Sequence, residues 1–146
     1  MAHEKVLLAD DENDVRDMCA RTLKMAGYQV VAVRDGQEAV ERASQEQFDL
    51  LLTDLKMPRL SGLDACRKIR ASHPDLPAIV MTGFGTMELA IEALQLGVSE
   101  FVLKPFRPQA LQDAVDRALL KQRLQRENAR LKALIPLFEL SRVFMS

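Results

Sequence analysis

Val6-Leu7-Leu8-Ala9-Asp10-Asp11-Glu12 sets four apolar residues directly before three consecutive acids. Its apolar half does not alternate with polar side chains, which suits a strand covered on both faces, as in a parallel sheet. Four further runs have the same character: Val30-Val31-Ala32-Val33, Leu50-Leu51-Leu52, Ala78-Ile79-Val80-Met81 and Phe101-Val102-Leu103. Helical spacing fills the intervals. Val15, Met18, Cys19, Thr22 and Ala26 line one helix face that Gly27 can end, and Asp35 can cap a second helix that turns Ala39, Val40 and Ala43 inward. Leu63, Cys66 and Ile69 mark a third helix, and Ala90, Ile91 and Leu94 a fourth that Gly97 closes. Pro108 opens a fifth, with Leu111, Ala114, Val115 and Ala118 as its buried stripe. Strand and helix alternating five times predict an α/β fold, a five-stranded parallel sheet with helices on both faces, doubly wound.

Composition narrows the setting. The 146 residues suffice for one domain core, and two cysteines, Cys19 and Cys66, are too few for a disulfide framework. No apolar run reaches the roughly 18 residues of a membrane span, and Met1-Ala2-His3-Glu4-Lys5 opens no signal peptide. A cytoplasmic location and no membrane partner are therefore expected. The net charge of −1 is unevenly spread: residues 1–116 carry 13 basic and 19 acidic side chains, residues 117–146 seven basic and two acidic. The basic end fits either a nucleic-acid contact or the solvated face of a helix.

In parallel sheets, ligands sit at the carboxyl ends of the strands. There the sequence places Asp10-Asp11-Glu12, Thr53-Asp54, Thr82-Gly83 and Lys104-Pro105. Glu12 and Asp14 read as ordinary helix-capping acids. Asp10, Asp11 and Asp54 together do not: carboxylates about 5 Å apart repel by roughly 3 kcal/mol at an effective dielectric near 20. A hard divalent cation offsets that repulsion, and Mg²⁺ suits one or two carboxylates together with a phosphate.

Over roughly residues 3–122 the chain resembles the receiver domains of two-component response regulators. The resemblance rests on Val6–Glu12, on Asp54-Leu55-Lys56-Met57-Pro58 followed by Gly62, on Thr82-Gly83 and on Phe101-Val102-Leu103-Lys104-Pro105-Phe106. It implies a flavodoxin-like fold with Asp54 as the phospho-acceptor. It implies that Asp10, Asp11, Asp54 and the backbone carbonyl of Lys56 hold Mg²⁺, Asp11 directly and Asp10 more through water. Thr82 is the implied switch hydroxyl, Lys104 the cation that pairs with the phosphoryl group, and Phe101 the rotating aromatic, here without a hydroxyl. The implied partner is a sensor histidine kinase or a phosphotransfer protein. The implied role is phosphorelay signalling that switches the face of the fourth helix, fifth strand and fifth helix, with no catalysis beyond its own phosphorylation and dephosphorylation. Phe84-Gly85-Thr86-Met87-Glu88-Leu89-Ala90 and the residues after it are most similar to receivers of multidomain regulators such as enhancer-binding ATPases.

Other classes fit less well. A haloacid-dehalogenase-type phosphatase needs a second acid two residues after its nucleophile, where Lys56 stands. A flavin carrier of the same fold needs a phosphate-binding loop where three acids stand. Gly83-Phe84-Gly85 begins a dinucleotide fingerprint that Glu88 breaks, and His3, His73, Cys19 and Cys66 lack zinc-site spacing.

Beyond the receiver, assigned to residues 1–122, residues 123–146 are expected to form a helical linker or coiled-coil extension toward a missing output domain. Leu124, Asn128, Leu131 and Ile135 follow heptad spacing, and Glu127 and Lys132 are offset as partners across a parallel homodimer. A monomeric amphipathic helix is the alternative. Pro136 is expected to interrupt this helix, and nucleic acid to be bound only through the output domain, for which transcription is the first expectation and nucleotide-messenger chemistry or regulated enzyme activity also fit.

Overall fold

The computed structural model describes residues 4–83 and 87–145, residues 87 and 135–145 as backbone only. Five strands alternate with five helices: β1 (Lys5–Ala9), α1 (Asn13–Met25), β2 (Gln29–Val33), α2 (Gly36–Gln45), β3 (Leu50–Asp54), α3 (Gly62–Ser72), β4 (Ala78–Thr82), α4 (Met87–Gln95), β5 (Glu100–Leu103) and α5 (Pro108–Met145). The strands form one parallel sheet in the order β2-β1-β3-β4-β5. The topological reversal lies between β1 and β3, which opens the crevice where doubly wound sheets bind ligands.

Successive residues of a strand face opposite ways, and the core divides accordingly. Leu7, Ala9, Leu51, Ala78 and Val80 pack beneath α2, α3 and α4, with Ala39, Ala43, Leu63, Cys66, Ile69, Ala90 and Ala93. Val6, Leu8, Leu50, Leu52, Ile79, Met81 and Val102 pack against α1 and α5, with Cys19, Leu23, Leu111, Ala114, Val115 and Ala118. The expected capping devices are present. Gly27 has φ 99°, and the Gly27 and Tyr28 N–H groups donate to Lys24 and Leu23 carbonyls, closing α1. Asp35 Oδ1 accepts from the Glu38 N–H at 2.8 Å and caps α2.

Three expectations need correction. β2 and β5 are edge strands, so Phe101 and Leu103 stand 37% and 49% exposed although their run reads as doubly covered. α4 turns the narrow stripe Ala90 and Ala93 inward and leaves Ile91 and Leu94 facing out, because it lies toward the sheet edge and meets it over little width. Pro136 does not interrupt α5, which runs unbroken to Met145. A proline removes one bond, here from its own nitrogen to the Lys132 carbonyl, and the turns on either side keep theirs.

α5 is fastened along its first half. The Tyr28 hydroxyl donates to Asp116, Arg117 pairs with Glu100 at 2.7 Å, Gln122 donates to the Asp75 carbonyl at 2.8 Å and Arg123 approaches Glu4 at 3.6 Å. Beyond these contacts Leu124, Leu131 and Leu134 are exposed.

Candidate functional site

The carboxyl ends of β1, β3, β4 and β5 meet around one ammonium group. Lys104 Nζ lies 3.0 Å from Asp10 Oδ2 and 3.1 Å from Asp54 Oδ2, with Glu12 Oε1 at 3.5 Å. The backbone places Lys104: its N–H donates to the Thr82 carbonyl at 2.7 Å, so β4 and β5 deliver the side chain together. The bond from Lys104 to Pro105 is cis. Asp10 is fully buried and Asp54 nearly so. Thr82, also fully buried, ends β4 with its hydroxyl donating to the Gly83 carbonyl at 3.2 Å.

Charge and burial oppose each other here. Burial lifts the Asp10 carboxyl above the usual carboxylate range, partly offset by the Glu12 N–H and by Lys104. Burial lifts Asp54 likewise, again opposed by Lys104. For Lys104 burial alone would act downward. The hydrogen bonds and charges of Asp10 and Asp54 outweigh it and hold the ammonium above the ordinary lysine range. Beneath the site, burial raises the Cys19 thiol to about 12, so it stays protonated and inert at neutral pH.

Oxygens of Asp10, Glu12 and Asp54 lie within 4.8 Å of one another. Three hard anionic donors at that spacing fit Mg²⁺, which prefers carboxylates and retained water. Asp11 stands exposed and outside this group, whereas Glu12 is inside it. The cause is local. The Asp10 Oδ1 accepts from the Glu12 N–H at 2.9 Å, which folds the chain back so that Glu12 returns to the side Asp10 faces. Glu12 occupies the N-cap position of α1, yet its side chain caps nothing, contrary to its reading as an ordinary capping acid. That third acid was visible in the run Asp10-Asp11-Glu12, and the turn alone revealed its direction. Lys56 is exposed in the loop after β3. Phe101 is on β5, outside both buried clusters. Phe84, Gly85 and Thr86 lie outside the described residues.

A buried strand-end aspartate, paired with a lysine from β5 and flanked by two more acids at the switch point of a 2-1-3-4-5 sheet, defines a class. The chain matches the response regulator receiver domain over residues 6–116 and belongs to that family. Among its relatives, the C4-dicarboxylate transport transcriptional regulatory protein DctD of Rhizobium meliloti is 37% identical over 131 residues, 90% of this chain and 28% of DctD. The response regulator protein PilR of Pseudomonas aeruginosa is 36% identical over 129 residues, 88% of this chain and 29% of PilR. The chain therefore spans less than a third of either protein. The crystal structure of NtrX from Brucella abortus superposes with a TM-score of 0.84 at 32% identity, over 90% of this chain and 30% of NtrX. A response regulator receiver domain protein from Clostridium thermocellum does so with a TM-score of 0.79 at 31% identity, over 86% of this chain and 99% of that one. Among the described residues, no helix is long and apolar enough to cross a membrane.

Proposed function

We propose that Asp54 accepts a phosphoryl group from a phosphohistidine on a sensor histidine kinase or phosphotransfer protein, and that the chain relays this event to an attached output domain. The observation that carries the reading is Lys104 held 3.0–3.1 Å from the buried carboxylates Asp10 and Asp54. An aspartate oxygen attacks phosphorus in line. The new P–O bond forms as the P–N bond breaks, and the leaving imidazole keeps the electron pair. Mg²⁺ would be held by Asp10, Asp54 and the Lys56 carbonyl, with Asp11 turning in from its exposed position beside them, and would neutralise charge on the phosphoryl oxygens when bound. Glu12 joins that set on the strength of its position. Lys104 shares the neutralising task, exchanging its bond to Asp54 for one to a phosphoryl oxygen. Thr82 turns its hydroxyl from the Gly83 carbonyl toward the phosphoryl group. Phe101, at the edge strand, then repacks, and the α4–β5–α5 face changes shape as a two-state element.

Residues 1–122 act as the receiver and residues 123–146 as the helical link to the output domain. The relatives support a transcriptional output, since DctD is a transcriptional regulatory protein. The link joins two copies in parallel. Leu120, Leu124, Leu131 and Leu134 are exposed along one side of α5, whereas Leu111, Val115 and Ala118 face the sheet. At about 100° per residue the exposed stripe lies nearly opposite the buried one, so two stalks meet with their receivers outside. Two buried free thiols and the lack of a spanning helix among the described residues agree with a cytoplasmic setting.

Treatment with acetyl phosphate and Mg²⁺, followed by intact-mass measurement, tests the assignment. The wild type gains one phosphoryl group and Asp54→Asn gains none, because an amide is not a competent nucleophile. Labelling of the variant would place the acceptor elsewhere.

A further inference from the structure

The loop that follows Asp54 is braced from outside the acidic site. Residues 55–61 leave β3 and return to it. The Gly62 N–H donates to the Leu55 carbonyl at 2.8 Å, and a Cβ at Gly62 would overlap the Asp54 carbonyl oxygen. At its far end the loop meets the start of α2. The Gly36 N–H donates to the Leu60 carbonyl at 3.2 Å, and a Cβ at Gly36 would overlap that same oxygen. Glycine is required there for close approach of two backbones.

Beside it, Asp35 divides its two oxygens between two elements. Oδ1 caps α2 through the Glu38 N–H at 2.8 Å, and Oδ2 pairs with the Arg59 guanidinium at 3.5 Å. Asp35 is buried while the Arg59 guanidinium is mostly exposed, so water screens part of this attraction. Arg59 has φ 69°, a left-handed conformation uncommon for a residue with a side chain. Surrounding contacts must hold such a conformation, and the pair with Asp35 is one of them.

We propose that Asp35 and Gly36 are positioning residues for the cation and phosphoryl site, holding loop 55–61, and with it the Lys56 carbonyl, in register with Asp54. This rests on the Mg²⁺ reading given above. The hydrogen bonds and ion pair that Asp35 and Gly36 make with described residues go to α2 and the loop, so they act on the site through the loop, as outer partners do in orienting metal ligands. Their place in the sequence, at the N-cap and first residue of α2, suggests only a helix start; the fold brings them to the acceptor loop.

Calorimetric Mg²⁺ titration of the full chain, beside amide hydrogen exchange without metal, tests this. Gly36→Ala is expected to weaken Mg²⁺ binding about tenfold, within the range typical of lost outer-shell partners. It is also expected to speed exchange at the Leu60 and Gly62 amides. Asp35→Asn keeps the helix cap but carries no charge for Arg59, so it shows a smaller loss in the same direction. Ala39→Gly weakens the same helix away from the loop; it lowers the melting temperature and leaves Mg²⁺ affinity unchanged. A wild type that binds Mg²⁺, with Gly36→Ala and Asp35→Asn binding it equally well, overturns the positioning role alone. A wild type that takes up no Mg²⁺ overturns the metal reading and the positioning role together. Loss of affinity in Ala39→Gly equal to that in Gly36→Ala would show helix stability, not the loop, to be the cause, and would also overturn it.

Discussion

Replacing Asp54 by asparagine should stabilise the metal-free protein, although it removes a partner of Lys104. The Asp54 carboxylate lies within 4.8 Å of oxygens on Asp10 and Glu12. At an effective dielectric near 20 each such pair repels by about 3.5 kcal/mol. Glu12 is mostly exposed, so water screens its share to about 1 kcal/mol. Against this stands the attraction to Lys104 at 3.1 Å, about 5 kcal/mol on the same scale. The Coulomb contributions nearly cancel, and the dehydration of a buried carboxylate decides the sign. Burial is the largest influence on Asp54 and it disfavours the ionised form. The expected gain for Asp54→Asn is about 1–3 kcal/mol, or roughly 3–8 °C in Tm for a chain of this size. The gain depends on pH in a definite direction. The folded-state carboxyl titrates above its ordinary 3.8, so the wild type's penalty is absent below that value and develops as pH rises through the raised one. The difference between the two proteins should therefore be small near pH 4 and grow as pH rises toward neutrality through the raised value. It should then hold until Lys104 loses its proton above the ordinary lysine range. Asp10 is raised for the same reason but is present in both proteins. Urea and thermal melts in chelator at the two pH values measure this. Lys104→Gln is the counter-test: it strands two buried carboxylates and should destabilise by about 3–5 kcal/mol. Mg²⁺ should then raise the Tm of the wild type more than that of Asp54→Asn, which offers one anionic ligand fewer. If Asp54→Asn melts below the wild type in chelator near neutral pH, dehydration and repulsion do not outweigh the Lys104 bond, and the electrostatic account is wrong.

Two further outcomes follow from exposed parts of the chain. The intact chain should sediment as a dimer at high micromolar concentration and a chain ending at Lys121 as a monomer; equal monomer masses would remove the parallel stalk built on Leu124 and Leu131. Lys56, exposed two residues beyond the acceptor, is expected to shield the aspartyl phosphate from water, so Lys56→Ala should shorten its lifetime measured by loss of phosphoryl mass; an unchanged or longer lifetime would show that Lys56 gives no such shield.

Pattern and chain direction alone made the strands, the helices and the side chains gathered at the strand ends legible. Five apolar runs too short for helices, separated by segments of 3.6-residue period, leave few solutions other than a parallel sheet covered on both faces. Once the strands are parallel their carboxyl ends lie on one edge, so Asp10, Asp54, Thr82 and Lys104 are brought to one region by chain direction alone. Local devices were equally legible: Gly27 and Gly97 end their helices through positive φ, and Asp35 caps α2, because these depend on neighbours a few residues away. The tertiary structure decided what depends on distant neighbours or on the path of a turn. An apolar run does not say whether its strand is central or at the edge, so the exposure of Phe101 and Leu103 follows only from the order of the sheet. Heptad-like and amphipathic spacing do not say which of two adjacent stripes meets the sheet, hence Ala93 inside and Leu94 outside on α4. Glu12 joins the carboxylate group and Asp11 does not, because a hydrogen-bonded turn after β1 sets where each side chain points. Asp35 and Arg59 pair although 24 positions separate them, because α2 and the loop after β3 follow the two strands that flank β1 and end at the same edge of the sheet.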